Sequence, residues 1–378
     1  MRWCRRVFET FRFGSAVGGP SATVLFNLSA PKPTEPKGAA MAKTGIRGVA
    51  EVAGVAVGTV SNYLNHPDRV SADKALRIQA AIDQIGFVPS NAGRQLRLGV
   101  SSVIGYISPN VSNPYVSEIA ESVERRATER GVTVFLANSH RSREREDDYL
   151  AVFEQHQVLG LLVSSDGPIE DRLASVRRRG TPSVLVGQRA VSSEQPSVSI
   201  DDVSGGRQAG RHLLEIGCRR LAVVGGPLSL PQIADRFAGL SEVVRESGGA
   251  TLEFIDETDR SVRGGLSVGA ALMARAPEMR PDGIFAVNDL LALGIMQVLV
   301  LGGVRVPQEA AIIGYDDTAF AEGSLIPLTS VRGRHDGYGT AVVDLLFDVI
   351  EGRAIDDPHR VFAPDLVIRA STQGFGGR

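Results

Sequence analysis

From residue 101 onward, short apolar runs rich in β-branched residues alternate with amphipathic stretches. The runs are VIGYI (103–107), VTVFLA (132–137), LGLLVSS (159–165), SVLVG (183–187), LAVVGG (221–226), GIFAV (283–287) and AAIIGY (310–315). A strand that is apolar on both faces has to be covered on both faces, which requires a mostly parallel sheet with helices on each side. The stretches 115–130, 143–157, 203–216, 233–247 and 289–301 read as those helices. Seven such strands over roughly 210 residues suit two open, doubly wound layers better than one.

The region before this alternation reads differently. Residues 48–53 form an apolar-sided turn and a half, Gly54 breaks it, and 56–64 form a second helix with Val60 and Leu64 four apart. Pro67 stops that helix. Ser71 is a candidate cap for a third helix with Asp73 in its first turn, an apolar stripe of Ile78, Ile82 and Ile85, and Gly86 as its stop. Two short helices joined by a glycine-containing turn match a helix-turn-helix, whose second helix can enter the major groove of DNA. Over residues 41–100 seven cations face four acids, a local net charge of +3 in a chain whose net charge is −2. On the residues alone, a DNA-reading module and a plain structural three-helix bundle remain equally good.

Charge excludes a globally basic nucleic-acid coat but not a local patch. Two cysteines, Cys4 and Cys218, are too few for a disulfide scaffold and fit a reducing compartment. No apolar run approaches the ~20 residues of a membrane helix. The first residues begin basic, as a secretion signal would, but Glu9, Arg12 and Gly14 interrupt every apolar run. Residues 1–42 are therefore expected to be a disordered extension, with Met41 as an alternative start.

Catalytic signals are weak. GLSVG (265–269) has the spacing of a hydrolase nucleophile elbow, but TDRSVRG before it is not a buried strand, so Ser267 is expected in the first turn of a helix. His66, His140, His156, His212, His335 and His359 lack metal-ligand spacing, and no phosphate-binding glycine motif occurs. The expectation is no enzyme, no metal and no cofactor.

The segment IRGVAEVAGVAVGTVSNYLNHPDRVSADKALRIQAAIDQIGFVPSNAGRQLRLG closely resembles the headpiece of the LacI/GalR family of bacterial transcription regulators. The resemblance continues through ISPNVSNPYVSEIA, GPLSLPQIADRFAGL, GIFAVNDLLALGIMQVL, GVRVPQEAAIIGYDDT and IPLTSV, and so covers nearly all of 44–372. It implies an all-α helix-turn-helix headpiece (43–88) and a hinge segment (89–100). Next comes a periplasmic-binding-protein-like α/β core (101–372) of two parallel-sheet subdomains, 101–198 with 332–360 and 199–331 with 361–372, followed by a flexible tail (373–378). The implied function is a cytoplasmic, nucleoid-associated homodimer, a repressor of operator DNA controlled by a small molecule, of carbohydrate type, in the cleft between subdomains.

Carried over residue by residue, the resemblance puts Val57, Gly58 and Asn62 at base edges, Ala56 and Thr59 near phosphate, and Asn65 just beyond the helix. Leu96, in a hinge of Ser90 to Leu98, would wedge into the minor groove. Asn113, Tyr115, Asp166, Gln188, Arg236, Asn288 and Asp316 would contact the effector; amides, carboxylates and an arginine suit bidentate bonds to sugar hydroxyls. Two positions depart from the family. Gly58 stands where a base-reading side chain is usual, and Gly93 where alanine is common. A hinge carrying Gly93 loses more entropy on folding, so Gly93→Ala is expected to tighten DNA binding. At a place where some relatives stack an aromatic ring on the ligand, this chain has Arg260. The tail RASTQGFGGR has no heptad pattern, so no tetramerising coiled coil is expected. A solute-binding protein on the same core would need a secretion signal and would leave 44–100 without a purpose.

Overall fold

A computed structural model of the chain describes residues 45–88, 101–333 and 337–376. It divides into two compact units, the first ending at Arg94 and the second beginning at Gln95. The expected N-terminal extension and the hinge segment with Gly93 and Leu96 lie outside the described residues.

The first unit is three helices: α1 (Ile46–Ala53), α2 (Val57–Asn65) and α3 (Ala72–Ile85). Helix α1 starts two residues earlier than its apolar pattern suggested, because the Gly45 carbonyl accepts from Gly48 and Val49. It stops where Gly54 takes a left-handed φ of 63° and returns its N–H to the last turn. Arg77 of α3 closes this joint, its Nε reaching the Ala53 carbonyl at 3.1 Å and its Nη2 the Gly54 carbonyl at 2.9 Å. A cation over a helix C-terminus is favourable there, so one of the positive charges that suggested DNA binding is committed to structure. Ser71 occupies the cap position of α3 but makes no side-chain cap bond, contrary to expectation, while Gly86 ends the helix in a left-handed conformation as expected. The small core is Val49, Ala50, Ala53, Val60, Ile78 and Ala81. Val49, Val60 and Ile78 are completely buried, worth about 1.5–3 kcal/mol each.

The second unit holds two six-stranded sheets. The first has the order β11-β5-β4-β3-β1-β2, formed by β1 (Val103–Ser108), β2 (Thr133–Asn138), β3 (Leu161–Val163), β4 (Ser183–Val186), β5 (Ser197–Ile200) and β11 (His359–Phe362), all parallel. Its faces separate by alternation. Ile104, Tyr106, Leu162, Val184 and Val198 pack with α4 (Pro114–Glu129) and α12 (Tyr338–Ile350). Ile107, Leu161, Val163 and Leu185 pack with α5 (Arg143–Gln155) and α6 (Glu170–Arg178).

The second sheet runs β12-β10-β9-β8-β6-β7, from β6 (Arg220–Val224), β7 (Thr251–Ile255), β8 (Gly283–Ala286), β9 (Ala311–Tyr315), β10 (Thr329–Gly333) and β12 (Pro364–Val367), with only β12 antiparallel. Two helix pairs pack on it, α7 (Asp202–Glu215) with α8 (Pro231–Ser247) and α9 (Val262–Met273) with α10 (Asp289–Leu301). A short α11 (Ala319–Gly323) follows β9. Ser267 lies in the second turn of α9, not the first. A Cβ on Gly265 would fall 2.3 Å from the Leu291 carbonyl, so the G-x-S-x-G spacing serves close helix packing.

The chain passes between the sheets three times: after Ile200, between Gly333 and Tyr338, and at Ala363. Each sheet repeats the doubly wound order 2-1-3-4-5, and such sheets hold ligands beyond the carboxyl ends of their strands, at the switch points β1/β3 and β6/β8.

Candidate functional site

The carboxyl ends of the two sheets meet around a cavity of about 150 Å³. From the first sheet come Asn113 and Tyr115 after β1, Ser164 and Asp166 after β3, and Gly187 after β4; from the second come Val287 and Asn288 after β8 and Asp316 after β9. Arg236 enters from α8 and Asp202 from the start of α7. Six of the seven residues expected at an effector site therefore line one cavity: Asn113, Tyr115, Asp166, Arg236, Asn288 and Asp316. Gln188 does not. The chain turns at Gly187 with φ of 88°, and Gln188 lines an adjacent depression with Arg189, its Nε2 3.5 Å from the Ser165 carbonyl.

The centre of the cavity is a bonded network. Arg236 donates from Nε to Asp202 Oδ1 at 2.8 Å and from Nη1 to the Val287 carbonyl at 2.5 Å. Tyr315 donates its hydroxyl to the same Asp202 oxygen at 2.7 Å, and its ring centre lies 3.4 Å below the guanidinium carbon. Arg236 is held firmly charged: burial opposes its charge, but Asp202, Tyr315 and Asp316 outweigh that cost. Burial pushes the Asp316 carboxyl well above the usual carboxylate range, against the pull of Arg236 and a hydrogen bond with Asn113. Asp316 also sits at φ 106°, a backbone region that is strained for any residue with a Cβ.

Two glycines make this geometry possible. A Cβ on Gly206 would lie 2.0 Å from the Arg236 carbonyl, and one on Gly205 would lie 2.9 Å from the Tyr315 ring. Without side chains there, α7 and α8 approach closely enough for Arg236 to reach Asp202.

Some polar groups serve structure as well. Asn113 caps α4 by accepting from the Tyr115 N–H at 3.1 Å. Asn288, rather than Asp289, caps α10, accepting from Leu291 at 2.9 Å, while its Nδ2 donates to the Arg260 carbonyl at 2.8 Å. Asp289 is buried and ties the next strand ends, accepting from Thr318 and from the Ser330 hydroxyl at 2.6 Å. Asp202, Arg141 and Gln232, which no sequence signal singles out as ligand contacts, also line the cavity, as does Arg260. Asp202 gives a faint signal, one of two acids opening a helix just before a glycine pair. Its role emerges only when Arg236 is placed against it.

In the first unit, Ala56, Val57, Gly58 and Asn62 are exposed, and Thr59 and Asn65 are half-buried. Val60, Tyr63 and Leu64 face the headpiece core, leaving the opposite side of α2 open. Asn65 turns its amide back onto the Ser61 carbonyl. A Cβ added at Gly58 would meet nothing within 4 Å. Among the described residues no cluster of three His, Cys, Asp or Glu could hold a metal, and no helix is long and apolar enough to cross a membrane.

Comparison with known proteins agrees with both units. The profile for bacterial regulatory proteins of the lacI family matches residues 45–90, and a periplasmic binding protein-like domain matches 211–372. The ribose operon repressor of Halalkalibacterium halodurans is 32% identical over 332 residues, covering 88% of this chain and 98% of the repressor. The structure of the transcriptional regulator CelR–cellobiose complex aligns with a TM-score of 0.64 at 29% identity, covering 86% of this chain and 99% of that one. The Lac repressor dimer bound to operator and the anti-inducer ONPF aligns with a TM-score of 0.74 at 26% identity, covering 87% and 98%. These relatives are transcriptional regulators. With a headpiece, a core of two parallel sheets and similarity along nearly its whole length, the chain belongs to the lacI family of bacterial regulatory proteins.

Proposed function

We propose that the protein is a homodimeric repressor of operator DNA, its affinity set by a small, sugar-like effector in the cleft of the second unit. The observation that carries this reading is the cavity itself, a charged, hydrogen-bonding pocket built from the carboxyl ends of two sheets in a chain that also carries a helix-turn-helix. Arg236 and Asp316, with Asn113, Asn288, Asp166 and Tyr115, would bind effector hydroxyls; an arginine fork and carboxylate oxygens match paired hydroxyls well. The relatives favour a sugar, one repressing a ribose operon and another crystallised with cellobiose. The Lac repressor's dimer on operator favours the same assembly here.

On DNA, Asn62 would pair with adenine and Val57 touch a thymine methyl, with Ala56 and Thr59 near phosphate and Asn65 beyond them. Gly58 would let the backbone approach closely. Gel shifts with DNA from upstream of the gene, run across salt concentrations, test this reading. Binding should favour a palindromic site over random DNA, and Asn62→Ala should lose about 1–3 kcal/mol of that preference. Binding without sequence preference would overturn the repressor reading; full selectivity in Asn62→Ala would overturn the assignment of Asn62.

A further inference from the structure

Within the cleft two arginines converge on one carboxylate. Arg260, from the loop between β7 and α9, donates Nη2 to Asp166 Oδ2. Arg141, from the loop between β2 and α5, brings its Nε to 3.3 Å of the same oxygen. The two come from opposite walls, Arg141 with the first sheet and Arg260 with the second. They are partly withdrawn from water, with side chains 14% exposed for Arg260 and 34% for Arg141.

The cluster is built in place. His140 and Arg141 both hold left-handed backbones, φ 51° and 60°, which non-glycine residues adopt only when held there. The Asn138 side chain accepts from the His140 N–H at 3.2 Å, and the Pro109 carbonyl accepts from the Arg141 N–H at 3.0 Å. On the other wall, Asn288 holds the Arg260 carbonyl. Burial first, and then the neighbouring Arg260, lower the Arg141 pKa, and Asp166 and the exposed Asp259 only partly offset this.

Two guanidiniums on one carboxylate also form a ready clamp for a second acidic group. Two guanidiniums offer ten N–H donors between them. Among the described residues, both side chains find their partner in a single Asp166 oxygen. Arg236, by contrast, is already matched by Asp202. Of the three arginines and three aspartates that line the cavity, two arginines and one aspartate thus stand together, while Arg236 and Asp202 pair with each other.

We propose that Arg141 and Arg260 form an anion subsite, and that the effector is a small polyol carrying one acidic group, a carboxylate or a phosphoryl. Arg236, Asp316, Asn113 and Asn288 take its hydroxyls; Arg141 and Arg260 clamp the acidic group in place of part of their pairing with Asp166. The inference rests on the effector-cleft reading above.

The test is calorimetric titration of the full chain at fixed ionic strength. The probes are acetate, inorganic phosphate, gluconate, glucose 6-phosphate and neutral glucose. Gluconate or glucose 6-phosphate should bind at least about tenfold more tightly than glucose, and the preferred acid identifies carboxylate or phosphoryl. The preference should vanish in Arg141→Gln/Arg260→Gln and grow in Asp166→Asn, a gain that a purely structural ion pair would not give. Should that pair of acidic sugars fail to bind, acetate or phosphate must still bind saturably in a way the double Gln variant abolishes. The inference is overturned when no probe shows a preference that depends on the two arginines. It is equally overturned when glucose matches its acidic derivatives. Glucose binding that Arg236→Ala abolishes, with no such preference, would leave the proposed function standing. Loss of specific operator binding is a separate result, and it strikes the proposed function itself.

Discussion

The headpiece and the core present their working residues in opposite ways. On α2 and its cap the residues proposed to face DNA are small and held by few contacts, most of them exposed with Thr59 and Asn65 half-buried, and the helix would keep its shape without their side chains. In the cleft, Asp202, Arg236, Tyr315 and Asp316 are largely buried and brace one another, so the groups offered to a ligand also support the fold. DNA recognition can therefore change by substitution at little structural cost. Effector recognition changes only within limits set by a network that must remain satisfied.

The largest effect should come from Asp202→Ala, which leaves Arg236 buried without its carboxylate. Unfolding in urea should show a loss of about 3–5 kcal/mol. Adding Arg236→Met should restore much of that stability while sugar binding stays absent. If Asp202→Ala folds as well as the parent, the contrast between the two units collapses.

The next two tests use one substitution at two sites. Gly206→Ala forces a Cβ toward the Arg236 carbonyl and should cost about 1–3 kcal/mol. Gly58→Ala, in the open, should instead stabilise the headpiece by about 0.5–1 kcal/mol, because alanine loses less entropy in a helix. Thermal melts of the two variants should move in opposite directions. A shift of the same sign in both would mean that the open face of α2 is not open.

Between these two in size lies a dependence on pH. Burial raises the Asp289 carboxyl to about 6, well above its value in an unfolded chain, so the folded form takes up this proton first. The stability that Asp289 contributes is full below about pH 4 and is lost as the pH rises through 6. Unfolding free energies measured from pH 4.5 to 6.5 should fall with a slope from this group of about 1 kcal/mol per pH unit, and Asp289→Asn should make the fall shallower while leaving the share of Asp316, whose carboxyl is raised in the same direction.

The headpiece was legible because each of its signals is local: Gly54, Pro67 and Gly86 punctuate three short apolar stripes. The strands were legible only where they are oily. VIGYI and AAIIGY announce themselves, whereas Ser197–Ile200 and Thr329–Gly333 bury hydroxyls instead. Ser197 bonds the Ala190 N–H and the His359 ring, and Ser330 bonds Asp289. Hydropathy passes over strands of that kind. Thr251–Ile255, on a sheet edge, is masked by its half-exposed Glu253. Five cleft residues, Asn113, Tyr115, Asp166, Asn288 and Asp316, follow from the rule that ligands lie beyond strand ends, and Arg236, on a helix, follows only from the family resemblance. Asp202 and Arg141 also stand just beyond strand ends, but β5 before Asp202 is too polar to read as a strand, and Arg141 reaches the cavity from a left-handed turn.

The position of Asp202 also has a mechanical meaning. It is the second residue after β5, where the chain first leaves one sheet for the other. A ligand that bonds Arg236 is joined, through Asp202, to one of the few stretches of chain that tie the two layers together.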